Sequence, residues 1–294
     1  MAYRLEKGEP VAGGLKRVVR HEIDSAASHL HGERKASRDD AIHEARKSIK
    51  KVRAILKLVR PELGEIYAPE NAKLRDIARK LSQFRDAAAM IETFSDLKRR
   101  YGRGIVASRF SSVRTALAKQ KKQAVVTKDV RALLMETGSA LRQIGESAAA
   151  WPLRNDGFEA IEPGLRQTYR RGRKALARAR KDPRPENYHE LRKRVKDLWY
   201  HIRLIGIEEE HEQQLKDLET WLGNDHNLVL LRAGIAANPA SYGSAQDTDL
   251  VLSLIDQYQE KLRNDALASG TRLYKEKPGE YIRRIKQLLQ DGHF

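Results

Sequence analysis

Cysteine is absent from the chain, which excludes disulfides, Cys-ligated zinc, iron–sulfur clusters and thiol nucleophiles together. Aromatic residues are scarce, at 6%. None interleaves with the basic runs in the way a stacking platform for single-stranded nucleic acid requires. No stretch approaches the roughly 20 consecutive apolar residues of a membrane span. The first residues, MAYRLEKGEPVAGGLKRVVR, carry no apolar run of signal-peptide length. The expectation is therefore a soluble, cytoplasmic protein that does not engage a membrane. Alternating strand patterns and hairpin signals are also missing. So are a Gly-rich phosphate loop, a Ser/His/Asp constellation and a pair of carboxylates set apart for acid–base work.

What the chain has in excess is positive charge. Its 57 Lys and Arg against 40 Asp and Glu give +17 and a pI near 10. Such a surplus speaks about partners, not fold, and points to a polyanion.

Apolar residues recur with the helical period throughout, so the fold class is all-α. Helices are predicted over 13–31, 38–61, 69–101, 104–126, 128–149, 160–181, 187–206, 209–236, 247–268 and 278–290. The stretch AAWPLRNDGFEAIEPG (149–164) gathers Pro and Gly and reads as a connector.

The helical pattern also repeats. HEARKSIK (43–50) returns as HELRKRVK (189–196), LRDIARKL (74–81) as LKDLETWL (215–222), and GLKRVVR (14–20) as GLRQTYR (164–170). Three matches in one order indicate an internal duplication. The expected architecture is one domain, 10–294, of two pseudo-symmetric four-helix-bundle halves, 10–150 and 157–294, around a basic central groove.

Each copy carries a one-sided cationic stripe. His43, Arg46, Lys50, Arg53, Lys57 and Arg60 follow at steps of three or four and share a helix face. The apolar stripe Ala45, Ile49, Val52, Leu56 lies one residue away, about 100° around the axis. The cations thus flank the core-facing side, as the wall of a groove would. His189, Arg192, Lys196 and Arg203 repeat the arrangement, with Lys193 beside them. Arg166, Arg170 and Arg173 form another set, matched in the first half by Lys16 and Arg20, with Ile23 at the third position. NYHE (187–190) fits a capping box with Asn187 as N-cap, which would put His189 in the first turn, where free N–H groups favour anions. Both leading histidines, near an ordinary pKa of about 6.5, would add charge as pH falls from about 8 to 6.

The other histidines, His21, His29, His31, His201, His211 and His293, read as packing or capping residues. His29 and His31 with Asp39 and Asp40 lack a helical ligand motif such as H-E-x-x-H, so no metal is expected. Trp151, Trp199 and Trp221 read as core or interface residues.

At the duplicated His/Arg/Lys pattern the sequence resembles the CHAD family, the conserved histidine α-helical domain. HEARKSIKKVRAILKLVRPELG (43–64) and HELRKRVKDLWYHIRLIG (189–206) look like its two copies, and LSQFRDAAAMIETF (81–94) and RLYKEKPGEYIRRI (272–285) fit further along. Two positions depart from an even repeat. Phe84-Arg85-Asp86 has Asp225-His226-Asn227 as its counterpart, so His226 stands for an arginine. Lys51 corresponds to Asp197, which marks that outer position as unimportant for binding.

The resemblance implies a helical domain that binds inorganic polyphosphate in a basic groove and associates with polyphosphate granules. The Glu-x-Glu-x-Lys strand motif of the triphosphatases often fused to such domains is absent from this chain. The expectation is accordingly a non-enzymatic binder without a cofactor. The residues agree: a polymer of phosphates offers charge at every unit and no bases to read, and Arg, Lys and His are its natural donors. Nucleic acid is the alternative partner, expected to bind more weakly. A polyphosphate-processing enzyme ranks below it, because hydrolysis ordinarily needs carboxylates to hold Mg²⁺ or activate water.

Overall fold

The computed structural model describes residues 3–101, 106–125 and 130–290, without the side chains at 85–87, 106–109 and 120–125. Among these residues the fold is all-α, as the periodicity predicts. The helices are α1 (Val11–Leu30), α2 (Arg38–Leu58), a single-turn α3 (Arg60–Leu63), α4 (Tyr67–Tyr101), α5 (Val106–Val125), α6 (Val130–Ala148), α7 (Glu162–Lys181), α8 (Pro185–Ile205), α9 (Glu209–Ala237), α10 (Ala245–Leu273) and α11 (Pro278–Gln290). The predicted helix starts at 104 and 128, and His293, lie outside the described residues.

Local chemistry sets the ends. Ser37 caps α2: its hydroxyl accepts from the Asp40 N–H at 3.2 Å, with Asp39 and Asp40 in the first turn. α8 stops at Gly206, whose φ of 77° is left-handed and suits glycine. Its start differs from the sequence reading. Pro185 occupies the first turn and Arg184 the cap position, so Asn187 lies inside the helix. Its amide donates to the Asp182 carbonyl at 2.8 Å, and Glu190 pairs with Lys193 and Arg194. The capping box is therefore not formed, because proline begins the helix two residues earlier. His189 sits in the second turn, away from the free N–H groups.

Helix packing follows the same order in both halves: α1 on α2 and α2 on α4, then α7 on α8 and α8 on α9. The buried residues, however, do not divide at the connector. One core joins α1, α2, α6 and the start of α4 to α7, α8 and α11, with Ile49, Ile55, Tyr169, Val195 and Ile202 among its members. A second core joins the far end of α4 and α5, through Phe94, Leu97, Phe110 and Val113, to α9 and α10, through Leu231, Val251 and Ile255. Each core thus draws on both halves.

The seam between them is tight. A Cβ on Gly164 of α7 would fall onto the carbonyl of Leu58 at the end of α2. His201 of α8 is fully buried against α2, its Nε2 2.9 Å from the Ala54 carbonyl, and burial lowers its pKa to about 4. It is a packing residue, as read from the sequence.

Two outcomes follow from shared cores and a backbone-to-backbone approach. Gly164→Ala is expected to cost about 3 kcal/mol, the upper end for overpacking, because the obstructing atoms are backbone; denaturant unfolding measures it. The halves expressed separately, cut near Asp156, are expected to lack a cooperative transition, since each exposes half of two cores. A sigmoidal thermal melt from either half alone would contradict this.

Candidate functional site

A cleft of about 400 Å³ opens where α2, α4, α8 and α9 meet. α2 sends His43, Arg46, Lys47 and Lys50 into it, one helix face, as the three-and-four spacing requires. α8 supplies Arg192, Lys196, Trp199 and Tyr200, and α9 brings Glu219, His226, Asn227 and Leu230. Met90, Glu92 and Thr93 of α4 complete the wall.

The cations face one another. Lys50 is largely buried, and among the described residues no carboxylate lies within ion-pairing distance of it. Burial, together with Lys196, Arg46 and Arg192 nearby, lowers its pKa to about 7. On α8, Lys196 donates to Glu219 at 2.7 Å, and Arg192 Nε stands 3.5 Å from the same carboxylate. Burial still wins at Lys196 and lowers its pKa. Burial opposes ionisation of Glu219, but Lys196, Arg192 and Lys50 outweigh it and hold the carboxyl below its usual range. Glu219 is 9% exposed and is therefore a buried counter-charge.

The duplication explains its position. Glu219 occupies the place that Ala78 has in the first copy. There Arg46 donates Nη1 to the Ala78 carbonyl at 2.9 Å, whereas its counterpart Arg192 meets the Glu219 side chain.

His189 does not line the cleft but stacks behind His226, which does; the ring centroids are 4.2 Å apart at 35°. Burial, His189 and Arg192 lower the His226 pKa to about 4. Burial, Lys193 and Arg192 lower that of His189. The Nδ1 of His189 and the Nε1 of Trp199 are buried without a hydrogen-bond partner among the described residues.

Of the residues singled out from sequence, His43, Arg46, Lys50, Arg192 and Lys196 thus converge. The others lie apart from the cleft. Arg53 donates to Asn71 at 3.0 Å. Lys57 pairs with Asp197 at 2.6 Å, an ion pair that ties α2 to α8. Lys51 pairs with Glu22 at 2.6 Å, so the Lys51/Asp197 position holds helices together. Lys193 pairs with Glu190, and Arg203 lies 5.9 Å from the Trp199 ring, toward Glu212. Lys16 and Arg20 on α1, and Arg166, Arg170 and Arg173 on α7, do not line it. The side chains of Arg85 and Asp86 lie outside the described residues.

The sequence reading missed the acid and the aromatics. Lys196 stands 6.0 Å from the Trp199 ring and 5.8 Å from that of Tyr200, within cation–π range. Trp151 is core and Trp221 packs between both cores, as expected, while Trp199 also faces the cleft. The signal for Glu219 was present, as an acid in LKDLETWL where LRDIARKL has alanine. The signal for Trp199 was its place one turn beyond Lys196.

Among the described residues, then, the molecule is an all-helical domain with a cation-lined cleft where its two halves meet. The CHAD domain model matches residues 17–236, and the chain belongs to the CHAD domain family. Two solved structures share the fold. The CHAD domain from the plant Ricinus communis aligns over 94% of this chain and 95% of its own, at 14% identity and a TM-score of 0.60. PptA from Streptomyces chartreusis aligns over 91% of this chain and 100% of its own, at 15% identity and a TM-score of 0.57. No curated protein sequence matches significantly. No described helix is long and apolar enough to cross a membrane.

The electrostatics of the cleft add a lysine to the histidine-led pH response expected from sequence. Burial, Lys193 and Arg192 make His189 harder to protonate than an ordinary imidazole. Lys50, at about 7, titrates at neutrality. A bound polyanion favours its protonated form and raises that pKa. Affinity for a polyanion should therefore fall as pH rises above 7, by up to about tenfold per unit until the raised pKa is reached. Lys50→Arg, which keeps its proton, should flatten this limb in a binding series from pH 6.5 to 9. An unchanged slope would show that another group titrates.

Proposed function

We propose that the chain binds inorganic polyphosphate in the cleft between α2, α4, α8 and α9, without hydrolysing it. The observation that carries this reading is the convergence of Arg46, Lys50, Arg192 and Lys196 from the two repeat copies, with Lys50 largely buried and unpaired among the described residues. Burying like charges together is unfavourable until an anion enters, and a flexible phosphate chain supplies closely spaced anions that meet several cations at once. Arg46 and Arg192 engage phosphate oxygens as forks, Lys50 and Lys196 as point charges. Membership of the CHAD family supports the same ligand.

The absence of turnover rests on the carboxylates available. Two acids line the cleft, Glu92 and Glu219; Glu219 is committed to Lys196 and Arg192, and among the described residues no group of three or more His, Asp or Glu is placed to hold a metal. Polyphosphate binding would in turn localise the protein to polyphosphate granules in the cytoplasm. Nucleic acid fits this cleft less well: the Trp199 and Tyr200 rings stack on each other at 4.8 Å and carry cations, so they are poor platforms for a base.

Titration at physiological salt is expected to show tight binding of long-chain polyphosphate, weaker binding of triphosphate, and RNA displaced by polyphosphate. Arg46→Ala/Lys50→Ala should weaken polyphosphate binding at least tenfold. Lys16→Ala/Arg20→Ala removes the same charge outside the cleft and should cost less than threefold. Incubation with Mg²⁺ should release no orthophosphate. Equal losses for the two variants would reduce the cleft to background charge, and sustained release would make the protein an enzyme.

A further inference from the structure

The cleft leaves most of the chain's positive charge unaccounted for, and α7 holds the densest part of it. The helix carries eight Arg and Lys against one acid, Glu162. Its buried side is Leu165, Thr168, Tyr169, Gly172, Leu176 and Ala179, packed toward α8, α11 and α2. The opposite side presents Arg166, Arg170, Lys174, Arg178 and Lys181, all exposed, about one cation per turn over roughly 22 Å. Among the described residues Arg166 alone of these five has an ion-pair partner, Glu162 on its own helix at 2.5 Å. The other four have no acid within ion-pairing distance among those residues, and α7 contributes nothing to the cleft.

We infer that the outward face of α7 is a second polyanion surface that docks on the phosphate backbone of double-stranded DNA, without reading its sequence. The chemistry of the face selects this partner. The one aromatic of α7, Tyr169, is buried, so the face has no platform on which unstacked bases could lie, and single strands are disfavoured. Its exposed apolar residue is Ala177, which gives a bilayer no side chain to bury, and membranes are disfavoured. The face is the outer side of a helix, suited to a stiff partner that brings regularly spaced phosphates to it. A B-form major groove is about 12 Å wide and accepts a helix of about 10–12 Å, with Arg and Lys reaching the phosphates on its rims. Arg predominates, as phosphate recognition favours. The exposed positions of this face carry no Asn or Gln, the one amide on that side, Gln167, being half-buried, so affinity comes from counterion release and falls steeply with salt.

The test uses the full chain and a labelled 24-base-pair duplex in an anisotropy titration at several salt concentrations. Arg170→Gln/Lys174→Gln/Lys181→Gln is expected to lose at least tenfold in duplex affinity and to flatten the salt dependence by about one unit for each phosphate no longer neutralised. Arg34→Gln/Lys35→Gln/Arg131→Gln removes equal charge from exposed positions elsewhere and should lose less than threefold. The α7 variant should keep its helical circular dichroism and its polyphosphate affinity, which reports on the cleft independently. Equal losses from the two triple variants overturn the proposal. So does tighter binding of a single strand of equal charge, or of phosphatidylserine vesicles, than of the duplex.

Discussion

The cleft is defined by the burial of like charges beside one another. Two helices from the duplicated halves bring Arg46 and Lys50 against Arg192 and Lys196 in a partly closed cleft, where solvent screens them poorly. A shift of the Lys50 pKa from 10.5 to about 7, most of it from burial, corresponds to a cost on the order of 5 kcal/mol for carrying its charge there. The fold tolerates this because two extensive cores, each built from both halves, hold α2 and α8 in place. Glu219 relieves the α8 side of the cleft, where it meets Lys196 and Arg192.

That asymmetry is a difference between the two sequence repeats. In the first, Arg46 finds a backbone carbonyl; in the second, Arg192 finds a carboxylate at the equivalent turn. His226 stands where the first copy has Arg85. The second-half wall therefore carries a buried acid and a pair of stacked, hard-to-protonate imidazoles. On α8 the cations Arg192 and Lys196 share one buried carboxylate, whereas Lys50 on α2 has none within ion-pairing distance among the described residues.

Charge outside the cleft plays two other parts. Lys51 with Glu22 and Lys57 with Asp197 are short pairs that join helices, the second across the two halves. Arg166 and Arg170 on α7, their sequence kin by pattern, point to solvent. One residue type at one helical spacing thus lines the cleft, ties helices together and covers an outer surface.

Much was legible before any coordinates. The 3.6-residue period placed the helices to within a few residues, although a proline at the start of α8 moved its boundary and undid the capping box. The repeat paired α2 with α8, and with it Arg46 with Arg192 and Lys50 with Lys196. Periodicity, however, defines only the angle of a side chain about its own helix axis. It does not say which helices face each other, so it could not separate Lys50 from Lys57, or Arg192 from Arg170. Nor could it show that Glu219, 23 positions beyond Lys196, folds back onto it, or that Lys50 loses its proton near neutrality. Those properties arise from several helices at once. Sequence determined the charge, the helical period and the repeat; only the packing of α2 against α8, and of α8 against α9, decided which cations share a cavity, because desolvation and ion pairing depend on neighbours brought from distant parts of the chain.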